Sequence, residues 1–127
     1  MKPFTQEWLL RAEEDLKAVA LLRSQNGLEN TCAFHCQQCL EKSLKALIFE
    51  HTENIPRLHD LAALYARVEH LLTGIDVEML EEISDVYTDV RYPADIGYLP
   101  QGVPKHDDID RFTQFTQSVF TRIQAIL

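Results

Sequence analysis

Residues 32–47 read CAFHCQQCLEKSLKAL, and the first eight of them hold three cysteines and one histidine. On a helical wheel five residues of this stretch share an arc of about 80°, and four polar residues lie opposite. The stretch therefore predicts an amphipathic helix whose apolar side joins the core. The apolar arc holds Ala33, Cys36, Leu40, Leu44 and Leu47, with Cys32 and Cys39 on its flank, and the opposite side holds His35, Gln38, Lys42 and Lys45.

The three cysteines have two interpretations. A zinc site needs four convergent ligands, usually drawn from two or more separate segments, and this chain has no second cysteine pair outside the stretch. Cysteine is also a small, weakly polar residue that packs well beside leucines. We therefore interpret the cysteines as core residues and expect no metal site. Metal or redox chemistry is the alternative.

Composition restricts the class of protein. A chain of 127 residues can bury its own core, so we expect a single domain over residues 1–127. Twenty acidic and twelve basic residues give a net charge of −8, which argues against generic nucleic-acid binding. No apolar run reaches the roughly 18 residues of a membrane span, and the first residues lack the apolar centre of a signal peptide. With an odd number of cysteines, these features indicate a soluble, cytoplasmic protein.

Apolar residues recur with a helical period along almost the whole chain, and no strand-like alternation is sustained. The pattern predicts an all-α fold, a five-helix bundle with an up-and-down four-helix core and one short extra helix. A loop of about fifteen residues after Val90 breaks the pattern, and such loops are usually functional or interfacial. The five helices are predicted to begin at Thr5 as the N-cap, at about Asn30, after Pro56, at Asp76 as the N-cap, and at Asp107 or Asp108 as the N-cap. Val68 and Leu72 are predicted to lie on the apolar side of the third helix.

Residues 34–50, FHCQQCLEKSLKALIFE, resemble the central signature of the HEPN domain family, in which alanine usually stands at the positions of Cys36 and Cys39. The resemblance implies a HEPN-like bundle that forms a homodimer and binds a nucleotide. It also implies a partner, a minimal nucleotidyltransferase, in a two-component or toxin–antitoxin pair. Three further motifs follow the family's order over nearly the whole chain: Trp8 with Ala12 and Asp15-Leu16, Pro56 with His59-Asp60-Leu61, and Tyr87 with Arg91-Tyr92-Pro93.

The end of the fourth helix carries the first candidate binding residue. Arg91 flanks the apolar stripe of that helix, and its permanent charge needs a carboxylate, phosphate or carbonyl partner. In one interpretation it is a helix C-terminal cation that ties down the following loop. In the other it contacts an anion or nucleotide in a groove at the end of the bundle. This second interpretation predicts a nucleotide- or anion-binding site made of Arg91, Tyr92, His59, Asp60, Lys42 and Lys45, without metal or cofactor.

The other members of this predicted site also have simpler interpretations. His59 and Asp60 are well placed to cap the third helix. Lys42 and Lys45 are expected on the solvated outward side of the second helix, with Glu41 and Lys45 as an i,i+4 pair.

The long loop also predicts self-association. Its tyrosines and prolines should form an apolar patch, and a symmetric homodimer is the commonest way to cover such a patch. The residues concerned are Tyr92, Pro93, Tyr98 and Pro100.

Some HEPN proteins cleave RNA with the arginine and histidine of an R-x₄₋₆-H motif. None of the seven arginines in this chain has a histidine five to seven positions later. Lys45 and His51 have a suitable spacing, but lysine is a poor substitute for a planar bidentate donor. We therefore expect a binding and interaction module without catalytic residues. The alternative is a HEPN-type RNA endonuclease toxin with a divergent motif.

Overall fold

A computed structural model describes the backbone of residues 1–91 and 104–127, and the side chains of residues 1–86 and 104–127. These ranges contain helices and no strand, so the predicted all-α fold is confirmed. The short extra helix of the prediction is α3. The helices are α1 (Pro3–Leu22), α2 (Glu29–Thr52), α3 (Leu61–Ala66), α4 (Val77–Arg91) and α5 (His106–Ile126).

The four long helices alternate in direction. The start of α1 meets the end of α2, where the Lys2 N–H donates to Glu50 over 2.9 Å. The end of α1 meets the start of α5 through Arg23 and Asp110, 3.4 Å apart. The turn before α4 meets the end of α5, because Arg122 donates to the Thr73 carbonyl. The bundle is therefore up-and-down, as the sequence predicts.

Helix α2 lies at the centre of the bundle and packs against each of the other four helices. Its cysteines are free thiols with no exposed surface, so they are core residues. Burial raises the pKa of Cys39 to about 12, which keeps that thiol protonated and unreactive. The most deeply buried large side chains come from helices α2 to α5 and from the turn that follows α3: Leu40, Leu44, Leu47, Ile48, Leu61, Leu64, Leu72, Leu80, Ile83, Ile109 and Phe112.

Two predicted N-caps are wrong because the helices begin earlier. Helix α1 starts at Pro3, whose fixed φ suits the first helical position, and Thr5 is buried inside the helix instead of capping it. Helix α5 starts at His106, so Asp107 and Asp108 lie in its first turn. The Asp108 carboxylate reaches back to accept the Lys105 N–H over 2.9 Å, which satisfies a donor at the helix end.

The predicted cap of α4 is confirmed, since the Asp76 carboxylate accepts the Met79 N–H over 3.2 Å. Gly74 precedes it with a φ of +77°, a conformation that glycine adopts without strain. The third helix is shorter than predicted and ends at Ala66, although Val68 and Leu72 beyond it remain buried. In the described ranges no helix has both the length and the apolarity needed to cross a membrane.

Candidate functional site

The structure leaves the centre of the predicted anion site undescribed. Arg91 is the last residue of α4, but its side chain lies outside the described residues, and Tyr92 lies outside them entirely. The proline and tyrosine patch predicted for the long loop also lies outside. Four predicted site residues can be placed: Lys42, Lys45, His59 and Asp60.

The buried carboxylate of Glu41 on α2 contacts two of these four residues, Lys45 and His59. Glu41 accepts hydrogen bonds from Lys45 Nζ over 3.0 Å and from Gln37 Nε2 over 3.0 Å. Nδ1 of His59 lies 3.1 and 3.2 Å from the two carboxylate oxygens, so this nitrogen carries the proton. Burial alone would raise the pKa of Glu41, but the donors from Gln37, Lys45 and His59 outweigh it and hold that pKa below its usual value.

Lys45 is not on a solvated surface, so that interpretation is wrong. The residue is 6% exposed, because α1 covers this side of α2. Its ammonium lies 5.8 Å from the ring centroid of Trp8 on α1, within the range of a cation–π contact. When the chain folds, the Lys45 ammonium group therefore loses contacts with water and gains contacts with the Glu41 carboxylate and the face of the Trp8 indole. The i,i+4 pairing with Glu41 that the sequence predicts is present at 3.0 Å.

A second buried carboxylate, on α1, holds the other lysine. Asp15 lies with Oδ2 2.7 Å from Lys42 Nζ and with Oδ1 2.8 Å from Nδ1 of His35. The Asp15 side chain is 9% exposed, whereas its two partners are about one quarter exposed. Lys42 is thus half-buried and paired rather than freely solvated, and each of the two carboxylates is shared by one lysine and one histidine.

Glutamines extend the contacts of the Glu41 carboxylate. The Gln37 side chain has no exposed surface, and its Nε2 also donates to the carbonyl of His59 over 3.2 Å. Its Oε1 accepts from Gln38 over 2.7 Å. Gln37 thereby fixes the chain just before α3 to the centre of the bundle. We call the whole set the polar seam: Asp15, His35, Gln37, Gln38, Glu41, Lys42, Lys45 and His59.

Asp60 has a separate role in the described structure. Its carboxylate accepts the Ala63 N–H over 3.2 Å and caps α3, as the simpler interpretation of the sequence predicts. Beside it, burial and then the charge of Asp60 raise the pKa of Asp85 on α4. Lys45 and His59 therefore contact the carboxylate of Glu41, and Lys42 contacts the carboxylate of Asp15. Asp60 caps the start of α3.

Sequence reasoning missed the carboxylates around which the seam is organised. Asp15 and Glu41 were assigned no binding role, and neither were His35 and Gln37. One signal was available for Asp15, which falls on the wheel of α1 close to the buried residues Ala12 and Val19. An acidic residue on an apolar helix face needs a buried partner.

The seam can present hydrogen-bonding groups and charge, and its charge is balanced from within. Two carboxylates face two lysines, so the formal charges of these four side chains cancel. The His59 side chain is 58% exposed. Lysine ammonium groups already bound to carboxylates add little attraction for an outside anion, because a new contact competes with the existing ion pair.

Comparisons with known proteins give one family and one related structure. The family model described as the HEPN domain matches residues 5–126. The crystal structure of TT1696 from Thermus thermophilus is similar in fold, with a TM-score of 0.75 and 19% sequence identity. The similarity covers 97% of this chain and 98% of that one, and at this identity it concerns the fold alone. Among proteins of curated function, none matches the sequence.

Proposed function

This chain belongs to the HEPN domain family, and we propose that it is an interaction module that pairs with a minimal nucleotidyltransferase and binds a nucleotide. The observation that carries this choice over nuclease activity is in the sequence: no arginine is followed by a histidine five to seven positions later. An RNA-cleaving site of the R-x₄₋₆-H type needs both side chains at that spacing. The partner and the nucleotide come from the resemblance to the family.

The geometry of the polar seam supports binding over cleavage. Lys42, Lys45 and His59 are each engaged by a buried carboxylate. Such cations are poorly available to stabilise the charge that develops on a phosphate during cleavage. Lys42 and His59, which are partly exposed, can still add hydrogen bonds at the edge of a nucleotide site whose main anion contact is Arg91. We therefore expect an affinity in the micromolar range or weaker, falling as salt is added.

Calorimetry with ATP and GTP tests the nucleotide part of the proposal. Wild-type protein should bind, and Arg91→Ala should weaken binding by tenfold or more, since a guanidinium makes bidentate phosphate contacts. Arg57→Ala, which removes an exposed arginine from the α2–α3 connection, is the matched control and should bind as wild type does. Equal nucleotide affinity of wild type and Arg91→Ala would show that Arg91 is not part of the site.

Co-expression tests the partner part. The product of the reading frame adjacent to this one should co-purify with the chain in a fixed ratio and carry a nucleotidyltransferase sequence. A neighbouring product that does not bind, or that has another sequence class, would contradict the proposed partner.

A second candidate function, an RNA endonuclease with a divergent motif, is favoured by one observation. His35 and His59 each direct Nδ1 to a buried carboxylate at 2.8 and 3.1 Å, an arrangement that orients histidines for proton transfer in hydrolytic enzymes. The test is RNA cleavage in the presence of a chelator. Cleavage that is lost in His51→Ala or His59→Ala would replace the interaction-module proposal with this one.

A further inference from the structure

The first turns of α1 carry a small surface pocket with two aromatic walls. Phe4, Glu7, Trp8 and Arg11 line it, and its volume is about 270 Å³. These residues are three or four positions apart in the sequence, so they form one stripe along successive turns of the helix. Phe4 is 50% exposed, although burial of an aromatic ring is one of the larger sources of stabilisation that a chain has. We call this site the aromatic pocket.

The aromatic rings at this end of the bundle already contact ammonium groups of the chain itself. The ring centroid of Phe4 lies 6.2 Å from that of Trp8 and 4.9 Å from that of Phe49 on α2. Lys2 Nζ lies 5.9 Å from the ring centroid of Phe49, and Lys45 Nζ lies 5.8 Å from that of Trp8. Both distances are within the range of cation–π contacts. Phe4 is the most exposed of the three aromatic residues, so its ring is the one that a cation from outside can reach.

The cationic side chains around the aromatic pocket are already compensated by carboxylates. Each of the three lies within 3.5 Å of at least one carboxylate oxygen: Lys2 of Glu53, Arg11 of Glu7 and Glu14, and Lys45 of Glu41. A further carboxylate, that of Glu50, accepts the backbone N–H of Lys2 over 2.9 Å. Among these side chains the carboxylates therefore outnumber the cations, and the whole chain carries a charge of −8. Both charges favour a positive ligand over a negative one.

We propose that the aromatic pocket binds a small quaternary ammonium compound such as choline, with its methylated head group against the ring of Phe4, beside Trp8 and near the carboxylate of Glu7. Aromatic rings recognise such groups through cation–π contacts. A primary ammonium group suits the pocket less well, because it is compact and strongly hydrated. The ligand is small, because the pocket lies below the range of roughly 300–1,000 Å³ that holds drug-sized molecules. Its binding does not depend on the proposed nucleotide site.

Tryptophan fluorescence measures binding at this pocket directly, because Trp8 is the only tryptophan of the chain. Choline should change the emission in a saturable way, with a dissociation constant of about 1 mM or tighter. The neutral alcohol in which carbon replaces the quaternary nitrogen has the same shape but no charge, so it should bind about tenfold more weakly or not at all. Sodium chloride at the same ionic strength should give no saturable change. Equal binding of choline and the neutral alcohol, or a choline titration without saturation, would overturn the proposal.

Two substitutions test the walls of the aromatic pocket. Phe4→Leu keeps an apolar side chain but removes the ring, and it should raise the dissociation constant for choline about tenfold; Phe115→Leu, on α5 and outside the pocket, is its matched control. Glu7→Gln should raise that constant about threefold or more, whereas Glu78→Gln, an equal change of net charge on the exposed side of α4, should leave it unchanged. Circular dichroism establishes that all variants are folded. Choline binding that survives both pocket substitutions, or that the controls weaken equally, would refute the assignment of the pocket.

Discussion

Glu41→Gln is the change that most directly tests the polar seam. Lys45 and Glu41 are 7% and 8% exposed in their side chains and 3.0 Å apart. Removing one member of a buried ion pair leaves the other charge buried without compensation, at a cost of about 3–5 kcal/mol. We expect about 3 kcal/mol, the lower end of that range, because the glutamine oxygen can still accept one hydrogen bond from Lys45.

The seam also predicts an asymmetry between the two members of the pair. Lys45→Met leaves Glu41 with the donors of Gln37 and His59, whereas Glu41→Gln leaves Lys45 with no formal countercharge among its described contacts. Lys45→Met should therefore cost less than Glu41→Gln. The double variant should lose less than the two single changes together, because neither charge is then left alone.

Urea denaturation followed by circular dichroism measures these free energies of unfolding. Glu7→Gln is the matched control, because Glu7 and Arg11 form an exposed i,i+4 pair at 3.1 Å. Its loss should cost about 0.5 kcal/mol or less. If Glu41→Gln costs no more than Glu7→Gln, then Lys45 reaches water in solution, and the buried pair is not what holds this side of the bundle.

The same variant should change how stability depends on pH. The folded protein lowers the pKa of Glu41 below its usual value of about 4.3. A depressed pKa contributes stability above the unfolded value, and this contribution is lost as the pH falls through the folded pKa. Wild-type protein should therefore lose more stability than Glu41→Gln as the pH falls below about 4. Parallel curves for the two proteins would refute the ionised, hydrogen-bonded state of Glu41.

Three further predictions concern the core and a helix start. Cys36→Ala should lower the free energy of unfolding in urea by about 1 kcal/mol or less, whereas Leu44→Ala should lower it by about 2–5 kcal/mol by opening a cavity. Stoichiometric zinc whose removal unfolds the protein would contradict the assignment of the cysteines to the core. An aromatic disulfide reagent at about pH 8 should leave Cys39 unmodified in folded protein, since its pKa is about 12, and should modify it in denaturant. Asp108→Ala should lower the free energy of unfolding by about 1 kcal/mol by leaving the Lys105 N–H without its acceptor. Asp107→Ala should lower it clearly less. Equal losses in the two variants would show that Asp108 does not stabilise the start of α5 in this way.

The sequence predicted the helices well because their apolar residues keep a helical period regardless of what packs beside them. It predicted the environment of Lys45 badly for a related reason. A helical wheel divides a helix into one buried and one exposed side, but α2 is surrounded by four helices and is buried on nearly all sides. Which helix occupies the centre depends on packing between distant segments. The partners Trp8 and Asp15 come from α1, 27 or more residues away from the lysines they contact.

Helix ends were harder to predict than helix interiors. Threonine is a common N-cap residue, which favours a start at Thr5. Helix α1 nevertheless begins two positions earlier, at Pro3, because the fixed φ of proline suits the first helical position. At α5 the sequence offers two aspartates in succession. The capping preference of aspartate does not separate an N-cap, whose side chain accepts an N–H of the first turn, from a residue three positions later that accepts the N–H of the N-cap residue. The cap at Asp76 was predictable because Gly74, a residue typical of turns, precedes it and no competing cap residue follows directly.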